Sequence, residues 1–194
     1  MAVYTKINKN DLTSINKKFY FEDFRSFKGI KQGIENTNYL LRSKNKKFIL
    51  TIFEKRVVKK EIPFFMKLMD QLSNLNINCP KPLKNNRGNY LIRVKNKISC
   101  VVTFLDGKDK KKLNLKNCFD IGKTIAQIHL STKKLKLYRK NSMGIKNLNP
   151  LLNSIKFKSQ KFSNLEKFLK NNFKDIKDKW PKKWPQGIIH GDLF

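Results

Sequence analysis

Apolar and polar residues follow two rhythms along the 194 positions of the chain. From residue 20 to residue 105 the alternation is mostly that of strands, interrupted by one helical stretch. Residues 20–30 predict a strand entering a turn, and residues 33–38 a turn. YLLR (39–42) predicts a second strand, SKNKK (43–47) a polar hairpin turn, and FILTIF (48–53) a third strand. The period then lengthens. Over residues 61–75 the apolar positions Phe64, Phe65, Leu68, Met69 and Leu72 make a helical stripe. CPKP (79–82) ends it, since a residue before proline avoids the helical region. NRGN (86–89) reads as a hairpin turn, with strands at 90–94 and 98–105. Upstream, Asp11-Leu-Thr-Ser offers a helix start.

After Asp106-Gly107 the pattern turns helical. Residues 115–130 carry Phe119, Ile121, Ile125, Ile128 and Leu130 at helical spacing, and residues 131–149 read as a Lys/Asn-rich loop. Residues 162–180 predict another helix through Leu165, Phe168, Leu169, Phe173, Ile176 and Trp180, stopped by the following Pro181. Gly187-Ile188-Ile189 resembles a short final strand. The order is strands, one helix, strands, then helices, with no internal repeat. A β-rich lobe at 1–105 therefore precedes the beginning of a helical lobe at 106–194.

Composition narrows the picture. Apolar residues make up 39% of the chain, with 15 Phe and 2 Trp, so a packed core is expected rather than disorder. Cys79, Cys100 and Cys118 are odd in number and form no CxxC pair, which argues against a disulfide framework or a zinc site and for a reducing compartment. No apolar run approaches membrane-spanning length, and MAVYTKINKND has no signal-peptide core. A cytoplasmic protein without membrane contact is expected. The formal net charge is +30, from 44 Lys+Arg against 14 Asp+Glu. That balance raises nonspecific affinity for phosphate polymers. The lysines are spread through the chain, however, and accompany abundant Asn, Ile and Phe, all with A/T-rich codons. We read the charge as compositional, with nucleic acid at most a nonspecific partner.

Two stretches carry candidate chemistry. FKGIKQGIENTNYLLR (27–42) lies between two predicted strands; Gly29 and Gly33 allow close backbone approach, and Asn36, Thr37 and Asn38 offer donors to phosphate oxygens. It is neither a GxGxxG nor a Walker A loop. GIIHGDLF (187–194) delivers Asp192 on a loop after an apolar run, where a carboxylate can accept a hydroxyl proton during phosphoryl transfer.

His190-Gly191-Asp192-Leu193 resembles the H-R-D-L start of the protein-kinase catalytic loop, with Gly for Arg. That Arg suits pairing with a phosphorylated activation loop. The HGD form is similar to that of aminoglycoside-phosphotransferase and choline-kinase-like enzymes, which act on small molecules. MAVYT, SFKGIKQGIENTNYLL, FILTIFEKRV, PFFMKLMDQL with CPKP, VTFLDG and GIIHGDLF together resemble the bacterial homoserine kinases of that superfamily, in family order from Met1 to Phe194. The resemblance implies an α+β, two-lobed protein-kinase-like fold and transfer of the ATP γ-phosphoryl group to L-homoserine in threonine biosynthesis. It implies Asp192 as catalytic base and His190 as a structural loop residue, with the 29–38 loop on the phosphates. Val102, Thr103, Phe104 and Leu105 become the hinge whose backbone meets adenine.

The usual third-strand cation is replaced by Thr51; Lys55 or Arg56 would substitute, with Glu61 as its helix partner. His129 is read as structural. The resemblance also implies that the Mg²⁺ ligands lie beyond Phe194. The chain is then expected to be cut within its catalytic loop, inactive or nearly so by itself, and poorly stable because Trp180, Trp184 and residues 187–189 would lack packing partners. The alternatives are a choline, aminoglycoside or amino-alcohol kinase of the same superfamily, a noncatalytic nucleotide binder, and a basic nucleic-acid-binding protein.

Overall fold

The computed structural model describes residues 3–33, 35–55, 57–108, 110, 112–155, 163–181 and 183–192. They fall into two compact units, Met1–Leu137 with Ile188–Phe194, and Tyr138–Gly187.

The first unit is built on a five-stranded sheet. It opens with helix α1 (Lys9–Phe19). The strands are β1 (Ser26–Gly29), β2 (Thr37–Arg42), β3 (Lys47–Ile52), β4 (Leu91–Val94) and β5 (Lys97–Thr103). Between β3 and β4 lie a 3₁₀ turn (Lys59–Glu61) and helix α2 (Ile62–Asn74). The spatial order is β1-β2-β3-β5-β4, antiparallel at every pairing. Side chains alternate between faces, as strand geometry requires. Tyr39, Leu41, Phe48, Leu50, Ile52 and Val101 face one way and pack with Leu12 and Ile15 of α1. Cys100 and Val102 face the other way and pack with Ile62 and Met66 of α2, joined by partly buried Ile49. The sheet is therefore covered on both faces, and Leu41, Leu50, Ile52 and Val101 are fully buried. Helix α3 (Leu115–Thr132) follows.

Local chemistry explains the boundaries. Helix α1 begins at a capping box: the Asp11 N–H donates to Asn8 Oδ1 at 3.0 Å, and the Asn8 N–H donates to Asp11 Oδ2 at 2.9 Å. Asp11 is thus the third residue of the first turn and not its cap, so the helix starts earlier than the sequence suggests. The same carboxylate pairs with Lys95 at 3.2 Å. Lys95 and Asn96 both have left-handed φ, 48° and 61°, the two-residue turn that joins β4 to β5.

Four sequence expectations change. The strand foreseen over 20–30 shrinks to β1, because Tyr20 and Asp23 adopt left-handed φ of 51° and 49° that a strand excludes. The turn foreseen over 33–38 gives its last two residues to β2. The buried stripe of α2 runs through Ile62, Met66 and Leu72, while Phe65 is exposed. The apolar run at 187–189 forms no strand among the described residues, having no paired backbone, and Ile189 is exposed.

The second unit holds helices α4 (Ile145–Ser154) and α5 (Ser163–Asp178). The sequence reads the first of these as loop: Asn147 and Pro150 obscure the helical spacing of Ile145, Leu148 and Leu152. The foreseen start of α5 at Phe162 lies outside the described residues. Trp180 and Trp184 lie against each other, ring centroids 6.2 Å apart.

Candidate active site

The connection from β1 to β2 is anchored at both ends. At its start the Ile30 N–H donates to the Asn38 carbonyl at 2.8 Å. Gly29 makes a tight approach there that the sequence did not show. A Cβ at Gly29 would lie 3.0 Å from Val3 Cγ2, so the close approach it permits is that of the N-terminal segment. Gly33 is exposed, with φ of +93° and open space around it. Thr37, expected to face phosphate, is fully buried instead. Its hydroxyl accepts the N–H groups of Tyr4 at 2.9 Å and Thr5 at 3.1 Å and donates to Glu54 Oε1 at 2.7 Å. That uses its whole hydrogen-bonding capacity. The β2 alternation sends Asn38 to the opposite, α2 face. There Asn38 Oδ1 accepts the Thr51 hydroxyl at 2.8 Å. Asn36 Oδ1 accepts the Glu54 N–H at 3.4 Å. Both amide groups keep their NH₂ donors for an anion.

Thr51 therefore occupies the α2 face as part of a neutral hydroxyl–amide pair. Lys55 is exposed on the turn after β3, and Glu61 ends the 3₁₀ turn that leads into α2. No ion pair among the described residues joins them; Arg56 lies outside those residues.

The sequence reading passed over Glu54. Its carboxylate is 9% exposed, accepts the Thr5 and Thr37 hydroxyls at 2.7 Å each, and forms an ion pair with Lys97. The Lys97 ammonium also donates to Thr5 Oγ1 at 2.7 Å. Burial pushes the Glu54 carboxyl upward, but hydrogen bonds from Lys97, Thr5 and Thr37 and the lysine charge outweigh it, leaving the group below its ordinary 4.5. The signal was available: two-residue alternation past Leu50 and Ile52 puts position 54 on the buried face.

At the foreseen hinge, the Thr103 N–H donates to the Lys81 carbonyl at 2.9 Å and the Phe104 N–H to the Lys47 carbonyl at 3.2 Å. Of Thr103, Phe104 and Leu105, only the Leu105 N–H has no backbone acceptor among the described residues. Lys47 pairs with Asp106 at 2.8 Å and stands 5.1 Å over the Phe104 ring, bracing this segment.

His190, Gly191 and Asp192 are exposed, with Gly191 at a left-handed φ of 75° that turns the chain before Asp192. Leu193 lies outside the described residues. His190 and His129, 61 positions apart in sequence, line one cavity of about 330 Å³ with Asp120, Ile121, Thr124, Ile125 and Ile128 of α3. No group of three or more His, Cys, Asp or Glu among the described residues is placed to hold a metal ion. The described residues therefore do not make a Mg²⁺ cage. No helix among the described residues is long and apolar enough to cross a membrane.

The first unit thus carries a β1–loop–β2 corner, a helix against the same sheet face as Thr51, a segment after β5 and an HGD turn. Residues 26–194 match the model of the phosphotransferase enzyme family, and the chain belongs to that family. Its fold is α+β and protein-kinase-like. A spectinomycin phosphotransferase solved with ADP and spectinomycin superposes with a TM-score of 0.63 at 13% identity, over 97% of this chain and 64% of that one. Choline kinase from Streptococcus pneumoniae gives a TM-score of 0.53 at 20% identity, over 88% of this chain and 56% of that one.

Sequence similarity is greater to homoserine kinases. The one from Parvibaculum lavamentivorans is 33% identical over the whole of this chain and 61% of its own length. That from Afipia carboxidovorans is 34% identical over the whole of this chain and 60% of its own. The chain thus spans about three-fifths of the length of the curated relatives it matches.

Proposed function

We propose that this chain is part of an ATP-dependent homoserine kinase. The observation that carries the reading is identity of 33–34% to curated homoserine kinases, continuous over all of its residues. In this reading ATP lies against the α2 face of the sheet. The adenine edge meets the Leu105 N–H and neighbouring carbonyls. Gly33 and the NH₂ groups of Asn36 and Asn38 receive phosphate oxygens. The neutral Thr51–Asn38 pair stands where kinases keep a lysine, so donors rather than a fixed cation line that wall, and Lys55 supplies positive charge from the turn. Asp192 accepts the proton of the attacking hydroxyl and orients its oxygen. His190 holds the turn against α3. Mg²⁺ would neutralise phosphate charge when bound; none of the residues described above is assigned to it. The division into lobes at 1–105 and 106–194 belongs to the same proposal.

The test is ADP release by the complete product of the reading frame that carries these residues, offered L-homoserine, choline, an amino alcohol and spectinomycin. L-homoserine is expected to give the highest kcat/KM. No turnover of L-homoserine with turnover of another acceptor would overturn the substrate while keeping the kinase. Asp192→Asn is expected to lower kcat by roughly 10²–10⁴-fold, with the KM for ATP little changed.

A further inference from the structure

We propose that Glu54 is a positioning residue for the nucleotide, acting by fixing the root of the β1–β2 connection; the inference rests on the nucleotide reading above. Glu54 does not face the nucleotide wall. It shares the parity of Ile52, and Lys97 that of Val101, which places the ion pair on the α1 side of the sheet, away from α2. It is not the lysine–glutamate pair of a kinase site moved in sequence.

What it does touch is the return of the loop into β2. Its backbone N–H holds the Asn36 side chain, and its carboxylate holds the next residue, Thr37. Through Thr37 and Thr5 it also holds the N-terminal segment, whose Val3 sits against Gly29 at the other end of the same loop. Both roots of the loop are thus tied to one residue: at Asn36 by the Glu54 backbone N–H, at Thr37 by its carboxylate, and at Gly29 through residues 3–5. The carboxylate is largely enclosed while the Lys97 side chain stays partly exposed, so the pair adds little net stability. Ordering the loop lowers the entropy lost when phosphate binds, which is where this arrangement has its effect.

The experiment compares ADP affinity by calorimetry in wild type, Glu54→Gln, Thr37→Val and Thr37→Ser, with Leu12→Ala as a control for general destabilisation. Amide hydrogen exchange over residues 30–38 is measured alongside. Glu54→Gln and Thr37→Val are expected to weaken ADP binding by about tenfold, roughly 1.4 kcal/mol, and to speed exchange in the loop but not in α2. Thr37→Ser, which retains the hydroxyl, is expected to restore both. Leu12→Ala is expected to lower the unfolding midpoint and leave ADP affinity alone. If wild type binds ADP and the two disruptive variants bind it equally well, the positioning role is wrong. Unchanged loop exchange in Glu54→Gln refutes it independently. If wild type itself fails to bind ADP, the nucleotide reading falls and takes this inference with it.

Discussion

A carboxylate remains ionised at Glu54 in a setting nearly closed to water because three donors converge on it. The consequence for stability has a definite sign. The folded carboxyl titrates below its ordinary 4.5, so the unfolded chain takes up the proton first on acidification. The stabilisation is full above about pH 4.5 and is lost as pH falls through the folded value. Chemical denaturation across this range is expected to show a steeper loss in wild type than in Glu54→Gln; parallel profiles would contradict it. At this scale the sequence was a mixed guide. Asp192, Asn36 and Asn38 stand out in the sequence by their motifs, and their chemical roles belong to the proposal above. Gly29 was read as a point of close backbone approach and Thr37 as a donor to phosphate; the contacts they make come from residues 3–5, more than twenty positions away. No local pattern encodes that.

Elements were read best where period and burial agree. Phe48, Leu50 and Ile52 alternate strictly, and β3 lies at the centre of the sheet. The run at 187–189 is equally apolar yet forms no strand, since a strand exists only with a partner edge, which composition does not supply. Helix α1 shows the reverse: its cap was within reach of the sequence, in the Asn8-to-Asp11 spacing, but was assigned three residues late. Asn8→Ala removes one half of the box and is expected to destabilise the first unit by about 1 kcal/mol in denaturant unfolding. Asp11→Ala is expected to have a larger effect, since it also releases Lys95 from the strained β4–β5 turn; equal effects would show that the turn does not depend on the ion pair.

For the whole molecule, the +30 charge says more about association than about chemistry. Binding to random single-stranded RNA is expected at low salt and to weaken by about tenfold or more between about 50 and 200 mM, without sequence preference, as filter binding would show. Retention at the higher salt would reopen the nucleic-acid reading. The strand order has a different consequence, for synthesis. Because β5 lies between β3 and β4, β3 leaves the ribosome with one edge bare and waits for about fifty further residues before Thr103 completes its neighbour. At 5–20 residues per second that is roughly 3–10 s. During it the edge of a mostly apolar strand is open to pairing with another nascent chain. A slowed ribosome between codons 52 and 103 would therefore lower the soluble yield of this protein, and a chaperone that shields strand edges would restore it.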